Sequence, residues 1–222
     1  MSDKIIPHPD QMIVGIAFPP TVFEKKDLTD IYGAISQRYD YAQFALANPG
    51  ALITGPNGNM ISILPDRIQI IDAVGLTFNS SKEKVIDIVR NIFFKTIQNK
   101  IKPPFALGCG IKLISRTQIA GNEQSAAEFV SKNLHISPEQ LKLLGDENMW
   151  AGIRLHFKRP PKEFDIRMEP WFTDPSKLWV ELDIQLPGGP LPAVLSAVEG
   201  EIESARQFLI KDLADFLQHL RI

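Results

Sequence analysis

The side chains best suited to chemistry lie on one face of three predicted strands in the last third of the chain. Apolar and polar residues alternate through 152–158, 164–170 and 178–186, which predicts half-buried antiparallel strands. Opposite charges on such a face can simply pair across a solvated sheet. The functional alternative is a ligand-binding or partner-binding surface with two tryptophans as rim or floor. Its predicted members are Arg154, His156, Arg167, Glu169, Trp171, Trp179, Glu181 and Asp183.

A histidine near carboxylates and an arginine can also support catalysis. Such groups are the raw material of general acid and base chemistry or of a carboxylate-rich metal site. A hydrolase or metal-dependent enzyme centred on His156, Glu169 and Asp183 is therefore a further, less favoured hypothesis. It requires these three side chains to converge in a pocket.

A second set of candidate residues comes from a local excess of basic side chains. Residues 82–116 hold eight lysines and arginines against two acidic residues, although the whole chain has a formal net charge of -2. A basic helix and the strand after it can bind nucleic acid or another anionic ligand. A solvated helix face is the alternative, because the exposed face lacks aromatic residues that would stack on bases. The predicted anion contacts are Lys82, Arg90, Lys95, Lys100, Lys102, Lys112 and Arg116.

The end of the chain carries a long apolar stripe. Apolar residues recur at spacings of three and four from Leu195 to Leu220, which predicts a helix of about 30 residues and about 45 Å. Such a helix covers the second sheet and overhangs an average strand, so part of the stripe is available to another chain. The residues predicted for self-association are Ile202, Leu209, Leu213, Phe216 and Leu220.

Catalytic and cofactor motifs are incomplete in this sequence. Gly50 and Gly55 have the spacing of a phosphate loop, but Pro56 stands where the loop needs its lysine, so a hairpin is the better interpretation. Residues 108–110 lack the third glycine of a dinucleotide fingerprint. Cys109 has apolar neighbours, which predicts a buried residue and not a nucleophile. The histidines show no spacing typical of zinc ligands. We therefore predict no cofactor and no metal site.

The elements that position these candidates form two groups. Up to about residue 120, the patterns predict a strand, a helix, several antiparallel strands, a second helix and another strand. That order predicts an α+β fold, a two-layer sandwich of antiparallel sheet with helices on one face and ferredoxin-like character. In the second group, the three alternating strands form a meander that the long C-terminal helix closes.

Residues 121–150 predict a helical connector between the regions 1–120 and 151–222, although both sheets can belong to one continuous domain. The 222 residues suffice for one large or two small domains. No secretion signal or membrane-spanning apolar run is found. The single cysteine favours a reducing compartment, the cytoplasm.

These features favour a non-enzymatic cytoplasmic protein with a binding, scaffold or regulatory role. The apolar stripe of the last helix predicts a homo-oligomer or a protein partner. The alternative is a protein that binds nucleic acid or an anionic ligand through the basic region.

Overall fold

The computed structural model describes residues 5–75, 77–119, 126–137, 139–140, 143 and 151–220. Within these ranges the protein has a mixed α+β fold built on an antiparallel sheet of nine strands. The strands are β1 (Gln11–Ala17), β2 (Gln43–Ala47), β3 (Gly50–Thr54), β4 (Met60–Leu64), β5 (Arg67–Ala73), β6 (Phe105–Gln118), β7 (Ile153–Arg159), β8 (Lys162–Trp171) and β9 (Asp174–Pro190).

In the described ranges, two helical stretches contain a π-helical segment between α-helical ones. A π-helical segment, Ile88–Phe94, joins α2 to α3, and a second one, Phe208–Leu213, joins α5 to α6. The helices are α1 (Lys25–Ser36), α2 (Phe78–Asp87), α3 (Lys95–Ile97), α4 (Ala126–Asn133), α5 (Leu191–Gln207) and α6 (Ala214–His219). The long helix predicted at the end of the chain is thus confirmed, in three segments.

The chain divides into two compact units, each made of separate stretches of sequence. Unit 1 comprises Met1–Asp10, Leu113–Ile184 and Ser204–Ile222, and unit 2 comprises Gln11–Lys112 and Gln185–Glu203. The strands neighbour one another in the order β2, β3, β4, β5, β1, β6, β9, β8, β7. The long strands β6 and β9 contribute residues to both units. The helical connector predicted for 121–150 lies mostly outside the described residues.

In unit 2, hydrophobic periodicity decides which faces are buried. β1 buries every second residue from Met12 to Ile16, as expected of a strand with one face on a core. α1 buries Leu28, Ile31 and Ile35, which recur at helical spacing. The helix predicted after the first strand is therefore confirmed.

Four phenylalanines form the aromatic centre of unit 2. Phe93 is fully buried, and its ring centroid lies 5.9 Å from Phe18, 6.1 Å from Phe23 and 4.9 Å from Phe94. The contacts with Phe23 and Phe94 are edge-to-face, the geometry that aromatic rings prefer. Phe93 and Phe94 lie in the π-helical segment, so this segment packs on the residues that follow β1.

The two glycines at phosphate-loop spacing have a structural role. Gly50 begins β3 with a φ of 127°, and a Cβ atom there would clash with the backbone carbonyl of Ile63. A Cβ atom on Gly55 would lie 2.6 Å from the carbonyl oxygen of Asp40. A turn at Pro56–Gly58 then leads into β4, which pairs antiparallel with β3. The hairpin interpretation is confirmed.

A polar network links the end of α1 to α2. Asp87 accepts hydrogen bonds from Tyr39 Oη at 2.8 Å, Asn91 Nδ2 at 2.7 Å and Arg38 at 2.9 Å. Burial acts to raise the pKa of Asp87, but the hydrogen bonds from Asn91, Tyr39 and Arg38 outweigh it and hold the pKa below its ordinary value. Burial, followed by the bond to Asp87, raises the pKa of Tyr39 to about 12.

This network gives a pH-dependent contribution to stability. Because the pKa of Asp87 is lower in the folded chain, its contribution is complete above the unfolded value of 3.8 and disappears as the pH falls through the folded value. Replacing Asp87 with Asn should lower the free energy of unfolding by about 1 to 2 kcal/mol at neutral pH. Urea denaturation between pH 7 and pH 3 should show the two proteins converging; a constant difference would contradict this prediction.

In unit 1, β8 and β9 keep the alternation predicted from sequence. β8 buries Phe164, Ile166 and Met168, and β9 buries every second residue from Leu178 to Ile184. β8 also lies between β9 and β7 in the sheet, as a meander requires. The predicted meander is confirmed.

Candidate binding surface

Five of the eight residues predicted for the polar face come together around one cavity of unit 1. The cavity has a volume of about 250 Å³ and lies between the ends of β8 and β9. We call its lining, together with Arg116, the Trp171 surface. The lining residues are Arg167, Glu169, Pro170, Trp171, Phe172, Trp179 and Glu181.

Arg116 binds the two tryptophans of this surface. Its guanidinium carbon lies 5.2 Å from the ring centroid of Trp171 and 5.6 Å from that of Trp179. Lys177 lies over Trp171 as well, at 5.5 Å. Cations at these distances are attracted to the ring face and restrict the orientation of the indoles. Sequence reasoning placed Arg116 among the anion contacts, because its neighbours along the chain do not indicate that it stacks on indoles.

Asp10 anchors Arg116 from the other side. One carboxylate oxygen accepts a hydrogen bond from the backbone amide of Arg116 at 3.0 Å, and the other lies 3.7 Å from its guanidinium. Burial raises the pKa of Asp10, and the attraction of Arg116 opposes this rise. Sequence analysis assigned no role to Asp10, since nothing local relates it to a residue more than a hundred positions away.

Arg116 should therefore contribute more than an ordinary surface arginine. Replacing it with Met removes two cation–π contacts and the charge opposite Asp10, which should lower the free energy of unfolding by about 1 to 2 kcal/mol. Urea denaturation followed by tryptophan emission measures this loss. Arg154→Met is the matched control, with a clearly smaller expected loss, because that side chain is 65% exposed and its ion pair is screened by water. Equal losses would contradict the predicted role of Arg116.

The other predicted residues of the polar face lie outside the cavity lining. His156 is exposed on β7 and pairs in register with Asp165 of β8. Arg154 donates hydrogen bonds to both carboxylate oxygens of Asp165, and these bonds lower the pKa of that carboxyl. Asp183 is half-buried on β9. The charges of β7 and β8 pair as expected of a solvated sheet.

The residues of the enzyme hypothesis do not form a metal-binding cluster. In the part of the chain that the structure describes, no three His, Cys, Asp or Glu side chains are grouped as metal ligands. His156 is exposed on β7, whereas Glu169 lines the cavity. Cys109 is buried in β6, as predicted, and burial followed by the nearby Glu201 raises its pKa to about 12. Its thiol therefore stays protonated at neutral pH.

Most residues of the basic region are engaged within the chain. Lys82 lies 3.3 Å from Glu203. Lys100 lies 2.5 Å from Asp27. Arg90 pairs with a carboxylate of α5 and also donates to backbone carbonyls of that helix. Lys112 also takes part in an interaction within the chain. Lys95 and Lys102 are exposed on the surface of unit 2.

Some of the residues predicted for self-association are buried, and others are accessible to solvent. Ile202, Leu209 and Leu213 are buried within the chain. Phe216 is 37% exposed and Leu220 is half-buried. Three of the five predicted residues are therefore buried within the chain, and the two less buried ones lie at the end of the stripe.

No family model and no curated protein matches this chain. Among the described residues, no helix is both long and apolar enough to cross a membrane. The functional inference therefore depends on the geometry of the chain itself.

Proposed function

We propose that this chain is a non-enzymatic binding protein that holds a protein partner on the Trp171 surface. The observation that carries the proposal is the grouping of two tryptophans, two arginines and an exposed phenylalanine around one cavity. Tryptophan and arginine are the residue types that most often dominate binding energy at protein interfaces. The opposite charges of Arg167 and Glu169 provide a polar rim.

The size of the cavity supports a protein partner over a free small molecule. Small-molecule pockets usually have volumes of roughly 300 to 1,000 Å³, and this one is smaller, at about 250 Å³. A single side chain of a partner can fill it as an anchor. Phe172 is 72% exposed beside it, and a large apolar side chain in this position gains by being covered.

Peptide selection tests the proposal while the partner is unidentified. A library of random 12-residue peptides displayed on phage is selected against the immobilised full chain, and the selected peptides are then titrated in solution. Trp171 and Trp179 are two of the three tryptophans of the chain, so binding should change the intrinsic emission.

Two substitutions of exposed apolar residues test whether the selected peptides bind at the Trp171 surface. Phe172→Ser should weaken the selected peptides by about tenfold or more, as expected for an interface hot spot. Val22→Ser removes an even more exposed apolar side chain, at 86%, from unit 2 and should leave affinity unchanged. Peptides that bind both variants like the original chain would contradict the proposal.

Self-association through the last helix is a further part of the proposal, with a second copy of the chain as the partner. The end of the apolar stripe supports it, because Phe216 is exposed there and Leu220 is only half-buried. Sedimentation over a dilution series should then show a dimer that Phe216→Glu dissociates. A monomer at high micromolar concentration would remove this part of the proposal.

Nucleic-acid binding through the basic region is the second candidate, favoured by the exposed Lys95 and Lys102. It predicts that affinity for mixed RNA or DNA falls steeply with salt. The ion pairs of Lys82, Arg90 and Lys100 within the chain leave fewer cations for phosphates. No binding at low salt would exclude this candidate.

The finer fold assignment, a two-layer and ferredoxin-like arrangement, is also part of this proposal. The sheet order β6, β1, β5, β4 supports it, because it is the strand order of that fold, with β2 and β3 as additions beside β4. A fold of this kind serves many functions, so it does not by itself favour one ligand.

A further inference from the structure

The two indoles of the Trp171 surface already bind cations within the chain. The guanidinium carbon of Arg116 lies 5.2 Å from the ring centroid of Trp171 and 5.6 Å from that of Trp179. The ammonium group of Lys177 lies 5.5 Å from the centroid of Trp171. The face of an aromatic ring is electron-rich and attracts a cation, most strongly in tryptophan. The two tryptophans therefore form an environment that favours positive charge.

Neither of these two cations lines the cavity of the Trp171 surface. The guanidinium of Arg116 lies 3.7 Å from the carboxylate of Asp10, and the ammonium group of Lys177 lies 3.1 Å from the carboxylate of Asp174. Each cation is thus compensated by a carboxylate of its own. The indole surface that lines the cavity remains available to a group from another molecule.

The lining of the cavity carries an excess of negative charge. It contains two carboxylates, Glu169 and Glu181, against one cation, Arg167. Arg167 is exposed, so water screens its charge, whereas both glutamates are half-buried and are screened less. Moreover, none of the described residues forms an ion pair or a hydrogen bond with Glu169. A half-buried carboxylate beside the two indoles is therefore left without a counter-ion in the described part of the chain.

The apolar part of the surface suits the stem of a long cationic side chain. The cavity, at about 250 Å³, is small for a free ligand but can hold the end of one side chain. Phe172 is 72% exposed beside it. Lysine and arginine pack their methylene stems on apolar surface while the charged head reaches a polar partner. Such a side chain can therefore cover the phenylalanine and reach the carboxylate at the same time.

We propose that the group that anchors the protein partner on the Trp171 surface is a lysine or arginine side chain. Its charged head lies against Trp171 and Trp179 and pairs with Glu169, and its stem covers Phe172. Both the ring faces and the carboxylate complement a cation. This inference rests on the proposed function, because it specifies the chemistry of the partner, and the experiments below separate the failure of one from the failure of the other.

The probes are three peptides with blocked ends, Gly-Ser-Gly-X-Gly-Ser-Gly, in which X is lysine, arginine or norleucine. Norleucine keeps the apolar stem and lacks the charge. Each peptide is titrated into the ¹⁵N-labelled full chain at constant ionic strength, and the indole N–H resonances of Trp171 and Trp179 are followed by NMR. At least one cationic peptide should shift them to saturation, with affinity about tenfold or more above that of the norleucine peptide. Equal affinities, or no saturation by either cationic peptide, would overturn the inference.

Glu169→Gln tests the contribution of the carboxylate. The substitution keeps the size of the side chain and removes its charge, and the melting temperature should be retained because no described residue pairs with Glu169. Affinity for the cationic peptide should fall about tenfold, as expected for a hydrogen bond to a charged group. Glu163→Gln is the matched control on the same strand. Glu163 pairs with Lys158 and lies outside the lining, so its replacement should leave affinity unchanged. Equal affinity in the two variants would contradict the inference.

The peptides selected from the random library separate the inference from the proposed function. They should share a lysine or arginine, and its replacement by norleucine should weaken binding about tenfold or more. If Phe172→Ser weakens peptides in which no cation is required, the proposed function stands and the inference is wrong. If neither the library nor the cationic peptides provide a binder, both are wrong.

Discussion

Replacing Lys84 with Met should lower the free energy of unfolding by about 3 to 5 kcal/mol, because it leaves the charge of Asp72 buried without compensation. Asp72 has no exposed surface, and apart from the ion pair with Lys84 its oxygens have no hydrogen-bond partner among the described residues. Lys84 provides the ion pair that compensates this carboxylate. Urea denaturation followed by circular dichroism measures the loss.

The double variant Lys84→Met with Asp72→Leu is the matched control. Removing both charges should recover most of the lost stability, because an apolar pair of similar size is often as stable as a buried ion pair. A double variant as unstable as the single one would show that the lysine contributes packing and not charge compensation. A loss below about 1 kcal/mol in the single variant would show that water reaches Asp72.

Phe93→Ala should lower the free energy of unfolding by a similar amount, about 3 to 5 kcal/mol, for a different reason. The ring is fully buried and contacts three other phenylalanines, so its removal leaves a cavity that rigid aromatic neighbours fill poorly. The loss should appear as a lower urea midpoint with an unchanged slope, since the same surface is exposed on unfolding.

Phe105→Ala provides the comparison for Phe93. Phe105 is 40% exposed at the start of β6, so its replacement should cost less than about 1 kcal/mol. Similar losses for the two phenylalanines would contradict the proposed aromatic centre of unit 2.

Local patterns predict the elements of this fold well. The stripe of Leu28, Ile31 and Ile35 predicts α1 because helical spacing is encoded in neighbouring residues. The alternation in β8 and β9 predicts their buried faces for the same reason. What local patterns do not encode is the pairing of distant segments, such as the neighbouring positions of β1 and β6 in the sheet. The division of the chain into units depends on these pairings.

The same limit applies to the candidate sites. Alternation predicted the residues of β8 and β9 that line the Trp171 surface, since period-two patterns identify a face. It did not indicate Arg116 or Asp10, which reach the site from elsewhere in the chain. The ion pair of Asp72 and Lys84 was missed because the burial of Asp72 appears only after folding.

The separate stretches of unit 2 have a consequence for its synthesis. Residues 185–203 belong to the same unit as residues 11–112, yet the ribosome makes all of 113–184 between them. At translation rates of about 5 to 20 residues per second, this interval lasts on the order of ten seconds. During that time the nascent chain lacks the contacts of α5, and apolar side chains beside Leu191 and Leu195, such as Phe94 and Ile101, stay accessible to chaperones. Unit 2 can therefore complete its folding only after residues 185–203 have been made.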